Sequence, residues 1–160
     1  AKILNGEKTV EIRKHAIPVG TKVYIYCTKG KYKIQHWWSC YSETVFKENC
    51  LGKVVASFVV SKCDKWDKVD ISADDYNENF IDNKTKISNK ELYKYTQGKP
   101  FYYWHISQLK IFDRPKELNE FKRANIGSLG CFNCKRFGTG CNNCLIDKAP
   151  QSYCYVEEIE

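Results

Sequence analysis

Several features that define common functional classes are missing from this sequence of 160 residues. No apolar run approaches the roughly 20 residues that a membrane-spanning helix needs, and no segment has the pattern of a signal peptide. The acidic stretch at residues 64–83 lacks the spacing of an EF-hand, so calcium binding is not indicated. Only three histidines occur, His15, His36 and His105, and no two form a recognisable catalytic pair. We therefore expect a protein that is not embedded in a membrane, and histidine-based nuclease chemistry is not indicated.

Positive charge and aromatic rings are abundant. The net charge is +7, and residues 1–60 hold ten Lys and Arg against four Asp and Glu. This excess of positive charge favours an anionic partner such as a nucleic acid or nucleotide. A basic surface that is only exposed to solvent would give the same charge composition. Residues 31–49 place aromatic rings between lysines, either as a platform for unstacked bases or as a cluster packed under a loop.

The most informative stretch is Gly6-Glu7-Lys8-Thr9-Val10-Glu11-Ile12-Arg13. If Gly6 ends a short helix at residues 1–5 and residues 9–13 are extended, alternate side chains point to opposite faces. Thr9, Glu11 and Arg13 then share one face, and the long stem of Lys8 can reach over it. Two cations flanking a carboxylate suit a polar, partly anionic ligand.

Strand-like and loop-like segments alternate along most of the chain. Strands are predicted at residues 21–28, 53–61, 101–106, 110–112 and 153–157. Ser88 and Glu91 form a capping box for a helix at residues 89–97, and Pro115 is predicted to begin a second helix that ends near residue 121. These elements predict a β-rich α+β fold built on a small barrel.

Nine cysteines, an odd number, argue against a closed disulfide framework. Four of them follow a C-x2-C-x6-C-x2-C pattern, a spacing that can close a tetrahedral zinc site with no open position for catalysis: Cys131, Cys134, Cys141 and Cys144. An iron–sulfur cluster would use the same ligands, and disulfides or unligated thiols are further alternatives. We predict that residues 124–160 form an extension held together by this zinc site, which we call the zinc clip. The extension would contribute a last strand to the barrel.

The octapeptide matches the G-x-K-x-x-E-x-R signature of the ASCH domain, a branch of the PUA-like superfamily. The order of "KVYIYCTKGK", "GKVVASFVV", "YYWHISQLKIFDRPKEL" and "APQSYCYVEE" also resembles small ASCH proteins of bacteria and their phages. The resemblance implies a PUA-like barrel over residues 1–123, although family members usually carry a further strand before the signature glycine. A barrel without that strand would have an exposed edge. It also implies a cytoplasmic protein of a bacterium or a phage-infected cell.

From the signature we expect binding of RNA or a modified nucleoside in a charged cleft. Arg13 and Lys8 would contact phosphate or a base acceptor, and Glu11 would accept from an amine or a ribose hydroxyl. Ser152 and Tyr153 would close the cleft from its far side. The complete set of expected ligand-binding residues is Lys8, Glu11, Arg13, Tyr26, Lys29, Tyr103, Trp104 and Ser152.

Two other functions are compatible with the resemblance. Some ASCH proteins are amidohydrolases that act on acylated cytidine, and others are ribonucleases. In the amidohydrolase branch Lys8 would correspond to the nucleophile or base and Glu91 to the helix glutamate, but Glu11 stands where that branch has threonine. A carboxylate beside Lys8 favours the ammonium form, which opposes nucleophilic chemistry. The third function is a phage-type module that engages a host protein.

Overall fold

A computed structural model describes residues 2–28, 50–67, 83–124, 145–146 and 148–159. These ranges contain four strands: β1 (Val10–Arg13), β2 (Lys22–Tyr26), β3 (Val54–Trp66) and β4 (Phe101–Lys116). They also contain one α-helix, α1 (Asn89–Thr96), and a 3₁₀ turn at Leu118–Glu120. All strand pairs are antiparallel, in the order β1-β4-β3-β2. The predicted β-rich class is confirmed. Within these ranges no helix is long and apolar enough to cross a bilayer.

The long pair β3 and β4 forms the middle of the sheet, with Trp66 opposite Phe101 at one end and Val54 opposite Lys116 at the other. The prediction of two separate strands at residues 101–106 and 110–112 is wrong, because β4 runs through both. The ladder shifts register where Ser57 pairs with Lys110 and Val59 with Ser107. Gln108 takes a left-handed conformation there, with φ 47°. A bulge therefore absorbs the extra residue and the strand continues.

The described strands form an open sheet, whereas the sequence predicts a small barrel. β1 and β2 occupy its two edges and do not pair with each other in the described ranges. Irregular segments cover both edges. The backbone N–H groups of Thr9 and Val10 donate to the Lys84 carbonyl at 2.9 and 3.2 Å, and the Tyr24 hydroxyl on β2 bonds to the backbone of Ile159. Short edge strands covered in this way limit edge-to-edge pairing.

The predicted helix at residues 89–97 is confirmed as α1, which ends one residue earlier. Ser88 is its N-cap, and its backbone N–H donates to the Glu91 carboxylate at 3.1 Å while its hydroxyl accepts from the Glu91 N–H at 3.2 Å. Gln97 ends the helix in a left-handed conformation.

Three other local predictions are wrong. Pro115 lies inside β4, because strand pairing continues to Lys116, and only the short 3₁₀ turn follows. Residues 2–6 form hydrogen-bonded turns instead of a helix, with the Gly6 N–H donating to the Ile3 carbonyl at 3.1 Å. The expected last strand at residues 153–157 makes an isolated bridge between Val156 and Arg123 and does not join the sheet.

Apolar side chains cover both faces of the sheet. On one face α1 packs through Leu92 against Ile12 and Phe101. On the other face Phe58, Val60 and Trp104 form a second cluster. Near the C-terminus Val54, Phe121 and Ile146 form a third. β1 is therefore fixed by its buried residues on the α1 face, which leaves its charged residues on the opposite face.

Candidate functional site

The charged residues of the octapeptide meet at the carboxylate of Glu11. Val10 and Ile12 are buried, whereas Glu11 and Arg13 alternate with them and remain accessible, as the sequence predicts. The two Glu11 oxygens have different partners: Oε2 lies 2.6 Å from Lys8 Nζ, and Oε1 lies 2.9 Å from Arg13 Nη2. We call Lys8, Glu11 and Arg13 the ion triad. The predicted reach of Lys8 over this face is confirmed.

The ion triad keeps hydrogen-bonding capacity for a ligand. An ammonium group has three N–H donors and a guanidinium has five, while a carboxylate can accept about four bonds. Each cation contributes one close contact to Glu11. The Lys8 side chain is 14% exposed and that of Arg13 is 36% exposed, so both can be reached from solvent. Mutual pairing therefore orders the three groups without exhausting them.

A cleft of about 400 Å³ opens beside Lys8, next to the edge of β1 that bonds to Lys84. We call it the edge cleft. It lies between the N-terminal turns, the segment at residues 85–87 and one side of α1. Its lining carries three lysines and one carboxylate, and the full set is Lys2, Lys8, Thr85, Lys86, Ile87, Glu91, Leu92 and Tyr95. The Lys2 ammonium donates to the Lys86 carbonyl at 3.1 Å, which holds the N-terminal turns against the far wall.

Glu91 serves the helix cap as well as lining the edge cleft. Hydrogen bonds from the Ser88 backbone and hydroxyl, together with the positive charge of Lys2, lower the pKa of the Glu91 carboxyl below its usual value. Glu91 is therefore ionised at neutral pH. Because its Oε2 accepts both Ser88 hydrogen bonds, its position is explained without a catalytic role.

Aromatic side chains adjoin the ion triad on its own face of the sheet. Trp104 pairs directly with Glu11 across the β1–β4 ladder, so both project to the same side. The Trp104 indole is buried, and its N–H donates to the His15 carbonyl at 3.0 Å. The ring of Tyr153 lies 6.4 Å from that of Trp104 and 6.2 Å from that of His15, both in edge-on geometry. Tyr155 follows, with its ring centre 5.9 Å from that of Tyr153.

Sequence reasoning missed His15 and Tyr155 as neighbours of the site. The alternation within residues 153–157 carried a signal for Tyr155, because Tyr153 and Tyr155 share one side of an extended segment. The proximity of His15 carried none, since it depends on how the turn after β1 folds over Trp104.

The other predicted ligand-binding residues are dispersed. Tyr103 pairs with Ile12 and so lies on the α1 face, where its ring contacts Trp66 and Phe101. Tyr26 lies on β2, at the opposite edge of the sheet from β1. Ser152 is exposed beside Tyr153, and Lys29 lies outside the described residues. The structure thus places Trp104 beside Glu11 and brings Tyr153, the neighbour of Ser152, against Trp104. Tyr26 and the ring of Tyr103 lie elsewhere.

No group of three or more His, Cys, Asp or Glu side chains in the described ranges could hold a metal ion. The four cysteines of the predicted zinc site, Cys131, Cys134, Cys141 and Cys144, all lie outside those ranges. Of the remaining cysteines, Cys27 and Cys154 are partly buried, and burial raises the pKa of both thiols. Both are therefore protonated near neutral pH, as expected for packing residues.

A second charged cluster lies on the α1 face. Asp64 Oδ2 is 2.9 Å from His105 Nε2 and 2.8 Å from Lys62 Nζ. The pKa of the Asp64 carboxyl is lowered, most strongly by the hydrogen bond from Lys62 and less by that from His105. No partner for His105 is recognisable from the sequence, because Asp64 reaches it across the β3–β4 ladder.

No family model, curated protein or solved structure matches the chain, so the chemistry of the site is interpreted from its own residues.

Proposed function

We propose that this chain is an ASCH-type, PUA-like protein that binds RNA or a modified nucleoside at the ion triad and the edge cleft. One observation carries the proposal. Lys8 contacts the Glu11 carboxylate and also lines the edge cleft. A ligand in the cleft would therefore contact Lys8, the one member of the ion triad that lines it, and through Lys8 would adjoin the Glu11 carboxylate.

Charge and size support an anionic ligand of nucleotide dimensions. The ion triad and the edge cleft together contain two carboxylates and four cations. The cations are Lys2, Lys8, Arg13 and Lys86. The surplus of positive charge attracts phosphate. A cleft of about 400 Å³ falls in the range of small-molecule pockets, which is roughly 300–1,000 Å³.

Each member of the ion triad would recognise a different part of a nucleotide. Arg13 has a planar donor array suited to phosphate or to the acceptor edge of a base. Glu11 accepts hydrogen bonds, so it would select an exocyclic amine or a ribose hydroxyl. Lys8 would contribute a second donor from the side of the edge cleft.

Binding is favoured over amide hydrolysis by the pairing of Lys8. A lysine acts as a nucleophile or base only after it loses its proton. Lys8 Nζ is instead engaged in an ion pair with the Glu11 carboxylate at 2.6 Å. The candidate acid–base partner, Glu91, is already engaged by Ser88.

Titration of the purified chain with a labelled single-stranded RNA tests the proposal. We expect an affinity that falls with rising salt and falls about tenfold or more in Arg13→Ala, with no product formed. Arg114→Ala is the matched control, because Arg114 is also an arginine on the sheet paired with a glutamate, Glu120, at the other end of β4. Equal losses in the two variants would refute a specific role for Arg13. Turnover of an acylated cytidine that disappears in Lys8→Ala would establish the amidohydrolase instead.

Two structural expectations belong to the same proposal. A closed PUA-like barrel requires pairing at the edges of β1 and β2 beyond that seen in the described residues. A zinc clip through Cys131, Cys134, Cys141 and Cys144 is supported at its flanks, because Leu145 forms a bridge with Lys122 and the buried Ile146 donates its N–H to the Phe121 carbonyl at 3.0 Å. The described residues on either side of the cysteines, 121–122 and 145–146, therefore lie together, as a local metal-bound loop would require.

A further inference from the structure

Two solvent-facing tyrosines adjoin the ion triad. Tyr153 is 41% exposed and Tyr155 is 46% exposed, while Cys154 and Val156 between and beyond them pack into the cluster around Phe121. The alternation turns both phenol rings outward on one side of the segment. We call Tyr153 and Tyr155 the tyrosine platform.

Ring contacts and a backbone hydrogen bond hold the tyrosine platform in place. The Tyr153 ring rests edge-on against the rings of Trp104 and His15. The backbone of Tyr155 is fixed as well, because its carbonyl accepts from the Ala124 N–H at 3.0 Å. Ordered rings lose less conformational entropy on binding than mobile ones. The two rings are nearly perpendicular, with an interplanar angle of 85°, so each would stack with a separate base.

The tyrosine platform is continuous with the cations of the ion triad. His15 follows Arg13 by two residues, a span of at most about 7 Å in an extended chain, and its ring contacts Tyr153. Trp104, the other support of Tyr153, lies opposite Glu11 in the β1–β4 ladder. A phosphate held by Arg13 would therefore place its neighbouring nucleotides over the two tyrosines.

We propose that the natural ligand is a single-stranded RNA whose bases next to the recognised nucleotide stack on the tyrosine platform. This inference rests on the proposed function and narrows it, because a free nucleoside has no neighbouring base to place there. Aromatic rings stack with any unpaired base, whereas the bases of a duplex are already stacked on each other.

The test compares three ligands: a ribonucleoside 5′-monophosphate, a labelled single-stranded RNA pool of roughly eight nucleotides, and a duplex of similar length. Binding is measured by competition and fluorescence anisotropy for the wild type, for Tyr155→Leu and for the double variant Tyr153→Leu/Tyr155→Leu. Tyr155→Leu guards against a folding defect, because the ring of Tyr155 contacts only Tyr153 among the described ring pairs. Tyr93→Leu is the control, since Tyr93 is 46% exposed on α1.

We expect each leucine to weaken single-strand binding at least about fivefold, with little change for the monophosphate, the duplex or the control variant. Arg13→Ala should weaken both the single strand and the monophosphate. Single-strand binding that is unchanged in the double variant but lost in Arg13→Ala would overturn the tyrosine platform and leave the proposed function standing. Loss of neither ligand in Arg13→Ala would overturn both.

Discussion

The Glu11 carboxylate should couple unequally to its two cations. Glu11→Gln keeps the shape of the side chain but removes the charge shared by Lys8 and Arg13. A hydrogen bond to a charged group that is largely buried contributes about 1.5–3 kcal/mol, and an exposed ion pair about 0–1 kcal/mol. Glu11 is 15% exposed, Lys8 14% and Arg13 36%. We therefore expect about 1.5 kcal/mol for the Lys8 pair and about 0.5 kcal/mol for the Arg13 pair.

Glu11→Gln should then lower the free energy of unfolding by about 2 kcal/mol, which corresponds to a fall in Tm of about 4–8 °C for a chain of this size. Double-mutant cycles with Lys8→Met and Arg13→Met, measured by urea unfolding, separate the two contributions. The Lys22–Glu158 pair is the control cycle, because its carboxylate is 72% exposed and its coupling should stay below about 0.5 kcal/mol. Coupling energies for Lys8 and Arg13 no larger than that of the control would refute the ion triad as an ordered unit.

Four further predictions concern stability, pH and metal. Ile12→Ala should cost about 2–5 kcal/mol in urea unfolding because Ile12 is buried between β1 and α1, whereas Val19→Ala at a 64% exposed position should change little. Ser88→Ala should cost about 1 kcal/mol through loss of the helix cap. Because the pKa of Glu91 is lowered in the folded protein, ionised Glu91 stabilises the fold above its unfolded pKa. This contribution is lost as the pH falls through the folded pKa. If the free energy of unfolding of Glu91→Gln falls with pH as steeply as that of the wild type, the prediction is contradicted. Metal analysis should find about one zinc per chain, removed by Cys131→Ser, and a metal-free chain with all four cysteines oxidised would contradict the zinc clip.

Local patterns predicted the parts of the site that depend on neighbouring residues. The alternation of Val10, Glu11, Ile12 and Arg13 determines which side chains face the core, and β1 follows it. The capping box of α1 likewise needs only residues three apart, and it forms as predicted.

Predictions failed where distant parts of the chain decide the structure. Pro115 resembles a helix start, but pairing with β3 keeps it in a strand. Residues 107–109 resemble a break between strands, but a bulge at Gln108 lets pairing continue. The contacts of Tyr153 with His15 and Trp104 join segments far apart in sequence. No periodicity in a single segment encodes such contacts.

The shortness of β1 makes the fold sensitive to a change in its length. Of the four residues of β1, two have buried apolar side chains and two have charged side chains on the opposite face. An insertion or deletion of one residue would turn each of these side chains to the other face. Such a change would bury a carboxylate and an arginine while exposing valine and isoleucine. A change in the length of the octapeptide would therefore disturb the core packing of β1 and the ion triad together.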